Sequence, residues 1–176
     1  MHTKFALPVR LTLLLLTLSL TGCGLTQSIK KGTAIATHAI FYPKADILHL
    51  QLVARNALNN DEAQMPSPVE VRIWPLRNAA AFRQASYSML LKQDAAALDA
   101  TLSGEPVRIR VLPGNTTTVD IPLADDVQLV AVAAFFLSPD IQRDSWRLTV
   151  SRENMDADTP TIIELNNRDL RVMRQE

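Results

Sequence analysis

Few side chains in this 176-residue chain could do covalent or metal chemistry. There is one thiol, Cys23, closing the stretch Leu20-Thr21-Gly22-Cys23. The three histidines are His2, His38 and His49, and none has a Cys, an Asp or a second His at metal-ligand spacing. Asp125-Asp126 and Asp156-Ala157-Asp158 present carboxylates. A calcium loop needs more oxygen positions and a glycine at its bend, so these read as turn residues. Ser86, Ser88 and Ser138 have no evident histidine base. No nucleophile elbow, phosphate loop or dinucleotide fingerprint occurs. Trp74 and Trp146 fit packing better than ligand stacking. The residues make no positive case for catalysis. No metal site and no cofactor is expected, and the chain is not expected to be an enzyme.

The thiol remains. Lys4 and Arg10 flank the start of an apolar segment, Leu11 to Leu20. That run is about half of the roughly 20 residues a membrane-spanning helix needs. It ends in small residues, which is the pattern of a secretory signal peptide over residues 1–22. Leu-Thr-Gly-Cys resembles a bacterial lipobox. The resemblance implies cleavage before Cys23, acylation of its sulfur and acylation of the new amino group. Two lipid signals already anchor a protein stably. Gly24, rather than Asp, follows Cys23, which by analogy with bacterial lipoproteins implies the outer membrane. The bland alternative is a secreted protein whose single cysteine lies there by chance.

Without residues 1–22 the chain has 154 residues, 16 basic and 18 acidic. That is one domain, large enough for a core without staples. Near-neutral charge gives no electrostatic case for nucleic acid. Residues 23–45 read as a lipidated cysteine and a polar tether. Residues 46–176 read as a β-sandwich with a helical insertion at about 78–102, because short apolar–polar alternations dominate.

Strands are expected at 47–57, 69–76, 107–112, 116–122 and 127–136. Another alternates through Trp146, Leu148 and Val150, and a closing hairpin covers 162–165 and 170–173. Leu48, Leu50, Leu52 and Ala54 share one face of the first strand. Val69, Val71 and Ile73 face one way on the second, with Glu70, Arg72 and Trp74 opposite. Val127 to Phe136 is apolar throughout, as in a strand covered on both faces. Three short helices are expected, capped by Asn78, Ser86 and Asp94. Asn166-Asn167 should turn the last hairpin through positive φ.

The run Pro66-Ser67-Pro68-Val69-Glu70-Val71-Arg72-Ile73-Trp74-Pro75-Leu76 resembles the signature of the TssJ (SciN) family of type VI secretion lipoproteins. The similarity continues through Ala81-Phe82, Tyr87 and Asp94, then Val111-Leu112-Pro113-Gly114, Val130 to Phe135, and Trp146-Arg147. The familiar form has an aromatic followed by Gln-Leu where this chain has Trp74-Pro75-Leu76. Pro75 lacks a backbone donor, so a strand end or an edge is expected there. The resemblance implies an all-β, transthyretin-like sandwich of two antiparallel sheets with a small helical insertion. It implies an outer-membrane component of the secretion membrane complex that docks the periplasmic C-terminal domain of TssM, and through it reaches TssL. It also implies that the loop between the first two strands makes the contact. Here that loop carries Asn59, Asn60, Asp61, Glu62, Ala63, Gln64 and Met65. It is polar and long for a hairpin connection. Two other readings stay open: a periplasmic small-ligand-binding lipoprotein, which needs a cavity with convergent polar groups, and a hydrolase, which needs a nucleophile and base in reach.

Overall fold

Alternation places residues on faces, and the computed structural model shows which faces meet. It describes residues 45–173. The signal segment, Cys23, His38 and nearly all of the tether lie outside the described residues. Eight strands form two four-stranded sheets. They are β1 (Ile47–Ala54), β2 (Val69–Leu76), β3 (Val107–Val111), β4 (Thr116–Pro122), β5 (Leu129–Phe135), β6 (Arg147–Ser151), β7 (Thr161–Leu165) and β8 (Leu170–Val172). The sheet orders are β4-β1-β7-β8 and β3-β2-β5-β6. The fold class expected from the sequence stands. Within it, one pair, β1–β7, runs parallel, with Leu50 opposite Thr161 and Ala54 opposite Leu165. The other five pairs are antiparallel. A parallel neighbour needs a long crossover, and here the whole intervening chain supplies it.

The core between the sheets follows the alternation. Leu48, Leu50 and Leu52 of β1 are fully buried, as are Val69, Val71 and Ile73 of β2. Ile163 and Leu165 of β7 and Val130, Val132 and Ala134 of β5 complete it. Removing each large aliphatic side chain from water contributes roughly 1.5–3 kcal/mol.

The second face of β2 is not solvated. Arg72 is 7% exposed and Trp74 1%. Two helices cover them: α1 (Ala80–Gln84) and α2 (Tyr87–Leu98). Ala133 and Ala131 lie opposite Arg72 and Trp74 on β5, and their small side chains leave the larger ones room. Asp94 is buried as well. Its Oδ2 accepts from Trp74 Nε1 at 3.2 Å, and Arg108 Nη2 donates to its Oδ1 at 3.2 Å. Arg72 Nη1 stands 3.4 Å from the same carboxylate. It also donates to the carbonyls of Leu90 (2.9 Å) and Leu91 (3.1 Å). Carbonyls at a helix end need donor partners, and Arg72 supplies them from the sheet below. The chain breaks there: Gln93 leaves helical geometry at φ −144°, ψ 35°.

Several expectations are corrected. Asp94 does not cap the third helix, because its carboxylate points into the sheet; the break expected between the second and third helices is the kink at Gln93, and α2 joins the two across it. Ser86 does cap α2, accepting from Met89 N. Asn78 accepts from Ala80 N, one residue earlier than a standard cap, and the first helix starts at Ala80. β1 ends at Ala54 rather than at 57. The β7–β8 turn has no positive φ; Asn166 N and Nδ2 instead donate to Asp169 O and Oδ1. At Pro75 the strand runs one residue further, to Leu76, but pairing with β3 stops at Ile73. Ser103 N donates to Pro75 O, so the proline's missing donor faces the side β3 has left.

Asp94→Ala should lower the free energy of unfolding by about 3 kcal/mol, because it leaves Arg72 buried with less compensation. The urea midpoint reads this. The paired change Arg72→Met with Asp94→Leu should lose less, since no buried charge remains there.

Candidate functional site

The expected contact loop joins β1 to β2, residues 55–68. Polar segments of this length stay ordered only if their backbone groups find partners. Asn59 supplies several. It adopts φ 47°, which Asn tolerates better than most residues. It is 3% exposed. Its Nδ2 donates to Ser67 Oγ (3.0 Å) and Pro68 O (2.8 Å). Its Oδ1 accepts from Leu137 N at 2.7 Å. Ser67 Oγ returns a bond to Asn59 O. Asp61 closes the tip: its Oδ1 accepts from Met65 N at 2.9 Å, and its own N donates to Met65 O. Leu58, fully buried, pins the loop to the core.

The seven residues expected to make the contact therefore divide. Asn59 is buried and shapes the loop rather than presenting a side chain. Asn60 is half-buried, and its N donates to Asn167 Oδ1 at 2.6 Å. Asp61, Glu62, Ala63, Gln64 and Met65 are exposed. Gln64 sits at φ 60° in the tip, where its N donates to Asp61 O at 3.0 Å.

Other loops come to the same end. The β5–β6 loop is tied in by Leu137 N, and Tyr87 Oη donates to Phe136 O at 2.6 Å. Burial pushes the Tyr87 phenol up to about 12, so it remains a donor at physiological pH. In the β7–β8 turn, Arg168 Nε donates to Ser138 O at 2.8 Å. In the β3–β4 turn, Gly114 has φ 72°, and a Cβ there would stand 2.6 Å from Asn56 Oδ1. A cleft of about 490 Å³ runs between Asp61, Glu62 and Gln64 on one wall and Leu137, Ser138 and Arg168 on the other. Leu137, Ile141 and Arg168 were not singled out from sequence. Their available signal was weak: two apolar residues and an arginine in turn-rich stretches without alternation.

At the base of the loop, Glu164 of β7 ties Arg171 of β8 to Arg55, the first residue after β1. Arg55 Nη2 donates to its Oε2 at 2.7 Å and Arg171 Nη2 to its Oε1 at 2.8 Å. The Arg55 bond, aided by Arg171, holds this carboxyl below the usual glutamate range. The remaining polar clusters are structural. His49 Nδ1 meets Asp120 Oδ1 at 2.6 Å across β1 and β4. Asp126 accepts from Ser103 and Arg77. Asp156 accepts from the backbone of Asp158 and Thr159, as a turn residue does. Among the described residues no group of three metal-ligating side chains is present.

A family profile described as "Type VI secretion lipoprotein, VasD, EvfM, TssJ" matches residues 46–174. The chain belongs to this type VI secretion lipoprotein family. Solved structures agree. A chain of a structure described as "Type VI membrane complex" is 33% identical, with TM-score 0.70, covering 74% of this chain and 99% of that one. A chain of one described as "T6SS protein TssM C-terminal domain" from EAEC is 32% identical, with TM-score 0.65, covering 73% and 98%. The lipoprotein TssJ1 from Pseudomonas aeruginosa shares the fold at 20% identity and TM-score 0.64, covering 76% and 98%. The comparison with curated proteins finds no match. Type VI secretion lipoproteins are structural components and are not known as an enzyme family.

The lowered Glu164 carboxyl favours the folded state at neutral pH. That contribution is complete above the ordinary glutamate range and is lost as pH falls through the folded-state value. Glu164→Gln should therefore be less stable than wild type at pH 7 and lose less on acidification, read by melting temperature from pH 7 to 3.

Proposed function

We propose that this chain is the outer-membrane lipoprotein of a type VI secretion membrane complex, anchored by lipid on Cys23. Its exposed β1–β2 loop docks the periplasmic C-terminal domain of TssM, and TssL is reached only through TssM. The observation that carries this reading is the loop itself. It is fixed by Asn59 and Asp61, yet it presents Glu62, Ala63, Gln64 and Met65 to solvent. A pre-shaped loop binds without a large ordering cost. Family membership supports the role, as does similarity to a chain from a structure described by its TssM domain.

The direction of the chain supports it too. The described residues begin at the start of β1, where Arg152 Nη2 holds Ala45 O at 2.6 Å. The loop leaves from the end of β1, eight residues on. At the rise of a strand that is roughly 25 Å away. The described chain thus enters β1 at one end, and the loop leaves it at the other.

Two measurements test this. Calorimetric titration of the TssM periplasmic domain into the lipoprotein should give saturable one-to-one binding. Glu62→Lys should weaken it several-fold, mostly through a slower on-rate, as rim charges do. Asp61 is the poorer probe, because its carboxylate also closes the loop tip. No binding at high micromolar concentration rejects the docking role. Separately, Cys23→Ser should move the protein from the membrane fraction to the soluble periplasmic fraction; persistence in the membrane rejects the lipid anchor.

A further inference from the structure

The most exposed large apolar side chains among the described residues are Met65 (62%), Leu137 (61%) and Ile141 (54%). All three lie on two loops at the same end of the sandwich. Leu112, 45% exposed, sits in the β3–β4 turn beside them, since β3 ends opposite Val69, where the β1–β2 loop rejoins the sheet. Scattered exposed apolar residues need no explanation, but their concentration at one end does.

We infer that this end is one docking platform, and that Leu137 and Ile141 of the β5–β6 loop are its apolar anchors together with Met65. The inference rests on the TssM docking proposed above, and it moves the centre of the contact off the β1–β2 loop alone. The loops are joined directly. Asn59 Oδ1 accepts from Leu137 N, so the residue that shapes the first loop also sets the position of the second. Arg168 borders both the cleft beside Asp61 and Glu62 and the adjoining one beside Ile141. The β5–β6 loop is braced from within, where Arg143 N donates to Asp140 Oδ1 at 3.1 Å, and from the β7–β8 turn, where Asp140 N donates to Arg168 O at 3.3 Å. Its apolar side chains are therefore held out on an ordered frame.

The chemistry selects a protein as the occupant. Apolar residues ringed by both signs of charge, with Asp61 and Glu62 on one side and Arg143 and Arg168 on the other, match an interface with an apolar centre and a polar rim. A nucleic acid would require a basic surface. An anionic bilayer would be repelled by the acid pair beside Met65. The complementary patch on TssM is expected to present apolar side chains at its centre.

The test uses the lipidated chain in detergent micelles, titrated with the TssM periplasmic domain. Leu137→Ala and Ile141→Ala should each weaken binding about tenfold, and Leu137→Asp more, as expected for central apolar anchors. Their melting temperatures should match wild type. Met89→Asp and Leu91→Asp, on the exposed side of α2, should bind as wild type does. If the Leu137 and Ile141 variants bind normally while Glu62→Lys weakens binding, the platform is wrong and the loop contact stands. If wild type does not bind, both fall. If the Cys23→Ser chain binds phosphatidylglycerol vesicles, and Leu137→Asp abolishes that while leaving TssM affinity intact, the surface belongs to the membrane and the platform is overturned.

Discussion

A buried guanidinium organises one half of this protein. β2 is covered on both faces, so Arg72 cannot reach bulk water. An isolated buried charge costs far more than a domain can tolerate, and it persists only with a full set of partners. Asp94 and Glu70 supply the charges, and the carbonyls of Leu90 and Leu91 supply two more acceptors. Phe135 adds an aromatic face 4.6 Å away. Meeting these demands fixes where α2 lies, where it kinks and which side it buries. Asp94, once turned inward, also serves Trp74 and Arg108. The helical insertion is thus seated on the sheet by polar geometry as much as by apolar area.

The same solution recurs. Arg147 gathers the carbonyls of Phe82, Arg83 and Ala85 at the end of α1, with Phe82 and Trp146 against its guanidinium. Arg152 gathers those of Ala124, Val127 and Ala45 where the chain enters β1. Five donors in a rigid plane suit arginine to this task in a way lysine is not. Asn59 does the equivalent work with a neutral amide at the loop end. Each of these residues converts a segment with unmet backbone groups into a fixed element, and the fixed loop end is what a partner can bind without first paying to order it.

Much of the sheet structure was readable from alternation. β2 and β4 have the boundaries the sequence suggests, and the inward sets of β1, β2 and β3 are those on the apolar parity. The apolar run at 127–136 is a strand buried on both faces, shortened to Leu129–Phe135. Where the reading failed, a polar residue had a distant partner. Asp94 looked like a cap, and Arg72 was placed only on the face opposite Val71, because nothing local reveals that the two meet 22 positions apart. Asn59 looked like a contact residue because Asn in a loop is ordinarily exposed. The parallel β1–β7 pair was also hidden, since a hydrophobic pattern states which face a strand buries and not which strand lies beside it.

Sequence alone determined the local quantities: strand parity, the Ser86 cap, the turn-rich loop and the family to which the chain belongs. These depend on residues within a few positions of each other, or on motifs whose order survives in the chain. Only the tertiary structure decided which polar groups are buried, which strands pair in parallel, and that Met65, Leu137 and Ile141 share one end. Those outcomes depend on contacts between segments far apart in sequence. Burial and exposure are properties of the assembled surface, and no single stretch of chain carries them.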